Sequence, residues 1–265
     1  MFTVDTHCHV SLSWYEPVES LLFQMDRNRV DHAVLIQING QFDNSYQFEC
    51  VARHPDRLSS VVLVDSADPA APSTLERLAE QGARGVRLRP DTRSPGDDAL
   101  AIWRKAAELR LAVSCGGSAA QFADPAFADV IAAVPTLPIV IEHLGSVNRP
   151  DGEPAPFAVR RRVFALARFP NVYIKVHGLG EFCQRRMPVA AEPFDLGNLP
   201  ILVQAITAFG PGRMMWGSDF PPVSGREGYA NALNLTRERV AAWGAEAEEL
   251  VFGRTAARVF GIAAG

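Results

Sequence analysis

The chain lacks the marks of several protein classes. It has no excess of Lys and Arg: 26 basic residues face 30 acidic ones, for a formal net charge of −4. A mildly acidic protein gains no counterion-release affinity for phosphates, so nucleic acid is not an expected partner. Long apolar runs are missing as well, because charges break each one short of the roughly 20 residues a membrane helix needs. The opening Met1-Phe2-Thr3-Val4 reads as a strand, with no basic stretch leading into a long apolar one. That argues against a secretory leader. Cysteine is scarce, and the four present (Cys8, Cys50, Cys115, Cys183) show no CxxC spacing. Reduced thiols in a cytoplasmic protein are therefore expected, not a disulfide framework. No glycine-rich phosphate turn follows the first apolar run, where His, Ser, Leu and Trp stand instead. An open doubly wound sheet loses its main signature by that absence.

What is present is an alternation of short β-branched or apolar runs with longer helical patterns. Strands are expected over residues 2–7, 33–38, 58–64, 85–89, 111–115, 139–143, 172–177 and 214–219. Helices are expected between them, for example over 17–29, 98–109 and 157–168, and a last one over 245–262 closes the chain. The strands are apolar throughout and do not alternate with polar residues, as suits a parallel sheet buried on both faces. Eight βα units of about 33 residues each are the arithmetic of a (β/α)8 TIM barrel. An α/β class and a single domain over 1–265 are expected. The connections agree. Those entering strands are short, at 54–57, 81–84, 169–171 and 210–213, whereas those leaving strands are long, at 10–16, 144–156 and 178–198. Barrel enzymes keep their chemistry on the face where the long loops lie.

His7 and His9 end the first strand two residues apart, so both imidazoles can point into the barrel mouth. Asp5 is expected lower on the same face. Of six histidines, His7, His9, His143 and His177 fall at strand C-terminal ends, and Asp219 ends the eighth strand. His32 and His54 read as structural, the latter as a cation closing a helix before Pro55. Arg87 and Arg89 share a face of the fourth strand by the period-two rule, which suits either a bidentate clamp on a substrate carboxylate or pairing with Asp91, Asp97 or Asp98. Lys175, two residues before His177, is expected deeper on that strand and paired with a buried carboxylate. Trp14, Tyr15, Phe182, Arg185 and Arg186 are candidates for the pocket wall.

Three motifs carry a family resemblance: Asp5-Thr6-His7-Cys8-His9, Glu142-His143-Leu144-Gly145 and Trp216-Gly217-Ser218-Asp219-Phe220-Pro221. With the closing segment 251–261, in which Thr255 stands where many relatives carry Asn, they resemble the amidohydrolase-related branch of the amidohydrolase superfamily. That branch includes pyrone-dicarboxylate lactonases, sugar lactonases and the aminocarboxymuconate-semialdehyde decarboxylase group. The resemblance implies that His7, His9, Asp219 and His143 surround either one divalent metal, zinc or manganese, or a substrate carbonyl polarised without metal. It implies Asp219 as the base that takes a proton from water, with His143 and His177 as catalytic partners. Metal-binding relatives place a further histidine at the end of strand five. Here that strand ends Val113-Ser114-Cys115-Gly116-Gly117, leaving Cys115 as a soft ligand or pocket residue, or simply a small residue under a turn. His177 is the other source for the missing nitrogen. Two activities follow from the resemblance: hydrolysis of a small, carboxylated lactone or related cyclic ester or amide, and metal-dependent non-oxidative decarboxylation. The missing ligand favours the first. A small-molecule substrate is expected, and barrels of this kind often form homodimers.

Overall fold

Eight short runs rich in Val, Ile, Leu and Ala pair side by side, every pair parallel, in the order of the chain. The strands are β1 (Val4–Cys8), β2 (His32–Ile36), β3 (Leu58–Val62), β4 (Gly85–Leu88), β5 (Ala112–Cys115), β6 (Ile139–Ile141), β7 (Val172–Val176) and β8 (Met214–Trp216). A parallel bridge between Cys8 and Phe220 joins the last strand back to the first. This is the (β/α)8 barrel. The computed structural model describes residues 1–147, 157–183, 185, 187, 188, 194 and 200–263.

Helices cover the outside: α1 (Val18–Asn28), α2 (Ser45–Arg53), α3 (Ala71–Glu80), α4 (Ala101–Glu108), α5 (Ala119–Ala123), α6 (Pro125–Ala133), α7 (Ala158–Phe164), α8 (Pro200–Phe209), α9 (Tyr229–Ala241), α10 (Ala245–Glu249) and α11 (Thr255–Phe260). The expected last helix is α10 and α11 joined by a π-turn over Leu250–Arg254. None of the described helices is long and apolar enough to cross a membrane.

Strand alternation sorts the side chains into two cores. Val4, Val34, Ile36, Val61, Ala112, Val140 and Met215 form the inner cluster, plugged by Ala256 and Phe260 of α11. The opposite-facing residues, such as Leu35, Val113, Cys115, Ile141, Ile174 and Trp216, pack against the helices in a larger outer cluster. Burial of this kind contributes roughly 25 cal/mol per Å² of apolar surface. It also fixes register, because a slip of one residue would exchange the two faces.

β1 breaks the simple period. Its pairing with β2 shifts register between Asp5 and Cys8, as a bulge does. Asp5 therefore does not lie beneath His7 as expected. It accepts from the Tyr229 hydroxyl of α9 at 2.9 Å and from the backbone N–H of Ser218 at 2.8 Å.

Candidate active site

Most strands end one or two residues short of their expected limits, and the residues past the ends are those of the rim. Asp219 follows β8 with φ 59° and His143 follows β6 with φ 53°, both in the left-handed region. Non-glycine residues rarely sit there, and such conformations gather at functional sites. The seam between β8 and β1 fixes the rim on that side: Asp219 N–H donates to the His7 carbonyl and His9 N–H to the Phe220 carbonyl, both at 2.8 Å. Gly217 is required there because a Cβ would lie 2.6 Å from the Cβ of His7 and 2.9 Å from its backbone nitrogen.

Asp219 is the point of convergence. Its Oδ1 stands 3.8 Å from Nε2 of both His7 and His9, while Oδ2 accepts from Arg226 Nη1 at 2.8 Å. His9 donates from Nδ1 to the Ile36 carbonyl at 2.7 Å, since a carbonyl can only accept. Burial, seconded by Arg87, lowers the His9 pKa to about 4. Its ring is thus neutral, and Nε2 presents a lone pair to the site. His7 is also held neutral, by burial first and the Lys175 cation second.

His143 and His177 form a second group with Glu181. Their Nδ1 atoms are 2.6 Å apart, and Glu181 oxygens lie 2.7 Å from the first and 3.3 Å from the second. Nitrogens this close hold a single proton between them, with the carboxylate to accept it. Burial opposes charge on His143, but the charge and hydrogen bond of Glu181 outweigh it and raise the pKa. His177 moves the other way, through burial and then through the neighbouring His143.

Below the rim lies a polar network that the sequence reading did not assemble. Arg87 pairs with Glu142 through Nη2 at 2.8 Å and Nε at 3.2 Å, and donates to the Gln37 carbonyl at 2.9 Å. Ser114 donates to Glu142 at 2.7 Å and accepts from Lys175 at 2.8 Å. Gly116 makes room for this carboxylate, since a Cβ there would stand 2.7 Å from Glu142 Oε2. The buried Glu142 would resist ionisation, yet Arg87 and Lys175 hold its carboxyl well below the usual range. Burial lowers the Lys175 pKa to about 8. Lys175 was expected deep and near a carboxylate; it reaches Glu142 through the Ser114 hydroxyl.

Above the histidines opens a cavity of about 640 Å³, lined among others by His9, Trp14, Tyr15, Arg87, His143 and Asp219. Tyr15 stacks on His9 with the ring centroids 5.5 Å apart. Two expected pocket residues are placed elsewhere. Cys115 is fully buried in the outer cluster, because alternation along β5 turns Ser114 inward and Cys115 toward the helices. Arg89 stands past the end of β4, exposed, bonded to Gln121 at 3.0 Å and paired with Asp91 at 3.5 Å. With Arg87 it lines an adjoining cleft of about 270 Å³. Of the loop candidates, Phe182 is buried and Arg185 exposed, while Arg186 lies outside the described residues. Arg226 was missed, since nothing in its local sequence marks it.

A model of the amidohydrolase family matches residues 4–262. The chain belongs to that family. It is 29% identical over 212 residues to 4-sulfomuconolactone hydrolase of Rhizobium radiobacter, an alignment that covers 77% of this chain and 66% of that protein. The chain therefore spans just under two thirds of that relative. Among solved structures, an amidohydrolase from Burkholderia multivorans with bound zinc has a TM-score of 0.79 at 23% identity, covering 99% of this chain and 100% of its own. A probable 2-pyrone-4,6-dicarboxylic acid hydrolase from Acinetobacter baumannii, with citric acid bound, has a TM-score of 0.74 at 21% identity, covering 98% and 100%. These two likenesses are of fold.

The donor positions of this amidohydrolase have the spacing of a divalent-cation site. His7, His9 and Asp219 bring ligand atoms within 4.8 Å of one another, as do His7, His143 and His177. The Nε2 atoms of His7 and His177 are buried without a hydrogen-bond partner. Imidazole nitrogen with carboxylate oxygen is a donor set that zinc accepts.

Proposed function

We propose that the protein is a hydrolase that opens a small, carboxylated lactone or related cyclic ester or amide, with Asp219 as general base. The observation that carries this reading is the Asp219 carboxylate, which has one oxygen tied to Arg226 and the other facing His7 and His9 at the cavity floor. A water lying among those groups gives a proton to Asp219 Oδ1 as its oxygen bonds to the carbonyl carbon of the substrate. When the adduct collapses the ring C–O or C–N bond breaks, and Asp219 returns that proton to the departing oxygen or nitrogen. His9 accepts that water's second hydrogen at Nε2. This differs from the role in carbonyl polarisation that the family resemblance implies, because a ring already donating to Ile36 has no second proton to offer. His143, charged against Glu181, donates toward the carbonyl oxygen, and His177 keeps that pair in place. Arg87 has donors left over from Glu142, and with Trp14 and Tyr15 it lines the side where a ring bearing an anionic substituent would rest.

Zinc or manganese is the expected metal, one per chain, with His7, His9, Asp219 and His143 the expected ligands; His177 joins His7 and His143 in the second donor group. When bound, such an ion polarises a carbonyl and lowers the pKa of water. A metal-free route uses the same base and the same donors. The decarboxylase alternative requires the ion, and no contact among the described residues favours it.

The test is a panel of carboxylated five- and six-membered lactones, followed by proton release, with Asp219→Asn as control. Ring opening by the parent protein and not by the variant is expected. A panel left intact under all metal conditions overturns the reading.

A further inference from the structure

Lys175 projects from β7 into the barrel beneath the histidines and is fully buried. An ammonium has three N–H donors and no acceptor. Three acceptors stand within reach of Nζ: the Thr6 carbonyl at 2.9 Å, the Ser114 hydroxyl at 2.8 Å and His7 Nδ1 at 3.3 Å. The first can only accept. The second is also committed, because the Ser114 proton is spent on Glu142 Oε1 at 2.7 Å and its oxygen turns a lone pair to Lys175. The third N–H is left for His7. A ring nitrogen that accepts carries no proton, so a neutral His7 must hold its single proton on Nε2, the atom that faces Asp219.

We propose that Lys175 is a positioning residue that locks His7 in the Nε2–H tautomer, making His7 a hydrogen-bond donor to the substrate carbonyl and withholding its lone pair from a divalent cation. The part played by His7 toward substrate rests on the function proposed above, but the tautomer is set by the protein alone. A cation seated on His7 Nε2 would drive the ring proton to Nδ1, where it would meet an ammonium head-on. The carboxylate that could receive it, Glu142 Oε1, is 3.9 Å away. The site therefore has the shape of a metal centre, while the Lys175 ammonium behind His7 opposes filling it. Such outer contacts move metal affinity by about 10- to 100-fold.

The experiment uses full-length protein labelled with nitrogen-15 at histidine, stripped of metal with chelator and free of substrate. Long-range proton–nitrogen correlation spectra report the tautomer of each ring, and His7→Asn assigns the His7 signals. In the wild-type protein His7 is expected as Nε2–H. In Lys175→Met its population moves toward Nδ1–H, and zinc affinity, read by competition with a chelating dye, rises about 10- to 100-fold. Nδ1–H in the wild type overturns the proposal, and this spectrum decides even if the variant does not fold. So does a folded Lys175→Met with unchanged tautomer and zinc affinity. No step of the experiment involves a lactone. A chain that opens none yet shows Nε2–H on His7 refutes the hydrolase reading and leaves the lock standing.

Discussion

The two oxygens of Asp219 stand in different surroundings, one against the Arg226 guanidinium and the other between the two β1 imidazoles. That division fixes which oxygen can take a proton. Asp219→Asn keeps the shape and removes the base, so kcat/KM should fall by about 10²- to 10⁴-fold while the thermal unfolding curve stays near that of the parent. Retention of the parent rate would remove Asp219 from the role. Glu181 is testable through pH. The raised pKa of His143 means that its charge persists above the ordinary histidine value and is lost as pH rises through the raised one, so activity should decline on the basic side. Glu181→Gln removes the carboxylate that sustains the charge. The basic limb of the kcat/KM profile should then move to lower pH, and an unmoved limb would show that His143 does not act as a charged donor.

Among the elements, β1, β5 and β8 decide how much of the site could be read from sequence. The His7–His9 pair and Asp219 were legible because strand ends in a barrel converge on one face, whatever the packing details. The period-two rule failed at Asp5, where a bulge reverses the face. It also separates Ser114 from Cys115, and the inward residue is the serine. The network of Arg87, Ser114, Glu142 and Lys175 spans four strands, and its members meet only through cross-strand register, which no single segment encodes. Arg226 lies seven residues beyond Asp219 on the connection to α9, with no motif to mark it. The β8–β1 seam supplies a prediction of its own. Gly217→Ala places a Cβ against the backbone and Cβ of His7, overpacking that should cost about 1–3 kcal/mol. Urea unfolding should show that loss alongside reduced kcat/KM, whereas wild-type stability would mean the seam is looser than this geometry.

Across the whole molecule, the barrel divides into an apolar floor, a charged layer and an open mouth. The floor is the inner cluster plugged by α11, and the mouth is lined in part by the connection after β1, with Trp14 and Tyr15. Much of the connections expected at 144–156 and 178–198 lies outside the described residues. The charged layer between them is the expensive part, since removing one member of a buried ion pair typically costs about 3–5 kcal/mol. Arg87→Met leaves Glu142 without its main partner and should destabilise the fold by that order, as read from chemical denaturation. A change below about 1 kcal/mol, the range of an exposed pair, would show that water reaches this layer. These three zones serve one chemical claim, that a water deprotonated by Asp219 attacks a ring carbonyl. It is tested most directly by opening a lactone substrate in oxygen-18-labelled water and locating the label by mass spectrometry. The account predicts one labelled oxygen in the newly formed carboxylate and none in the released hydroxyl. Label in the hydroxyl, or release of carbon dioxide in place of ring opening, would contradict it.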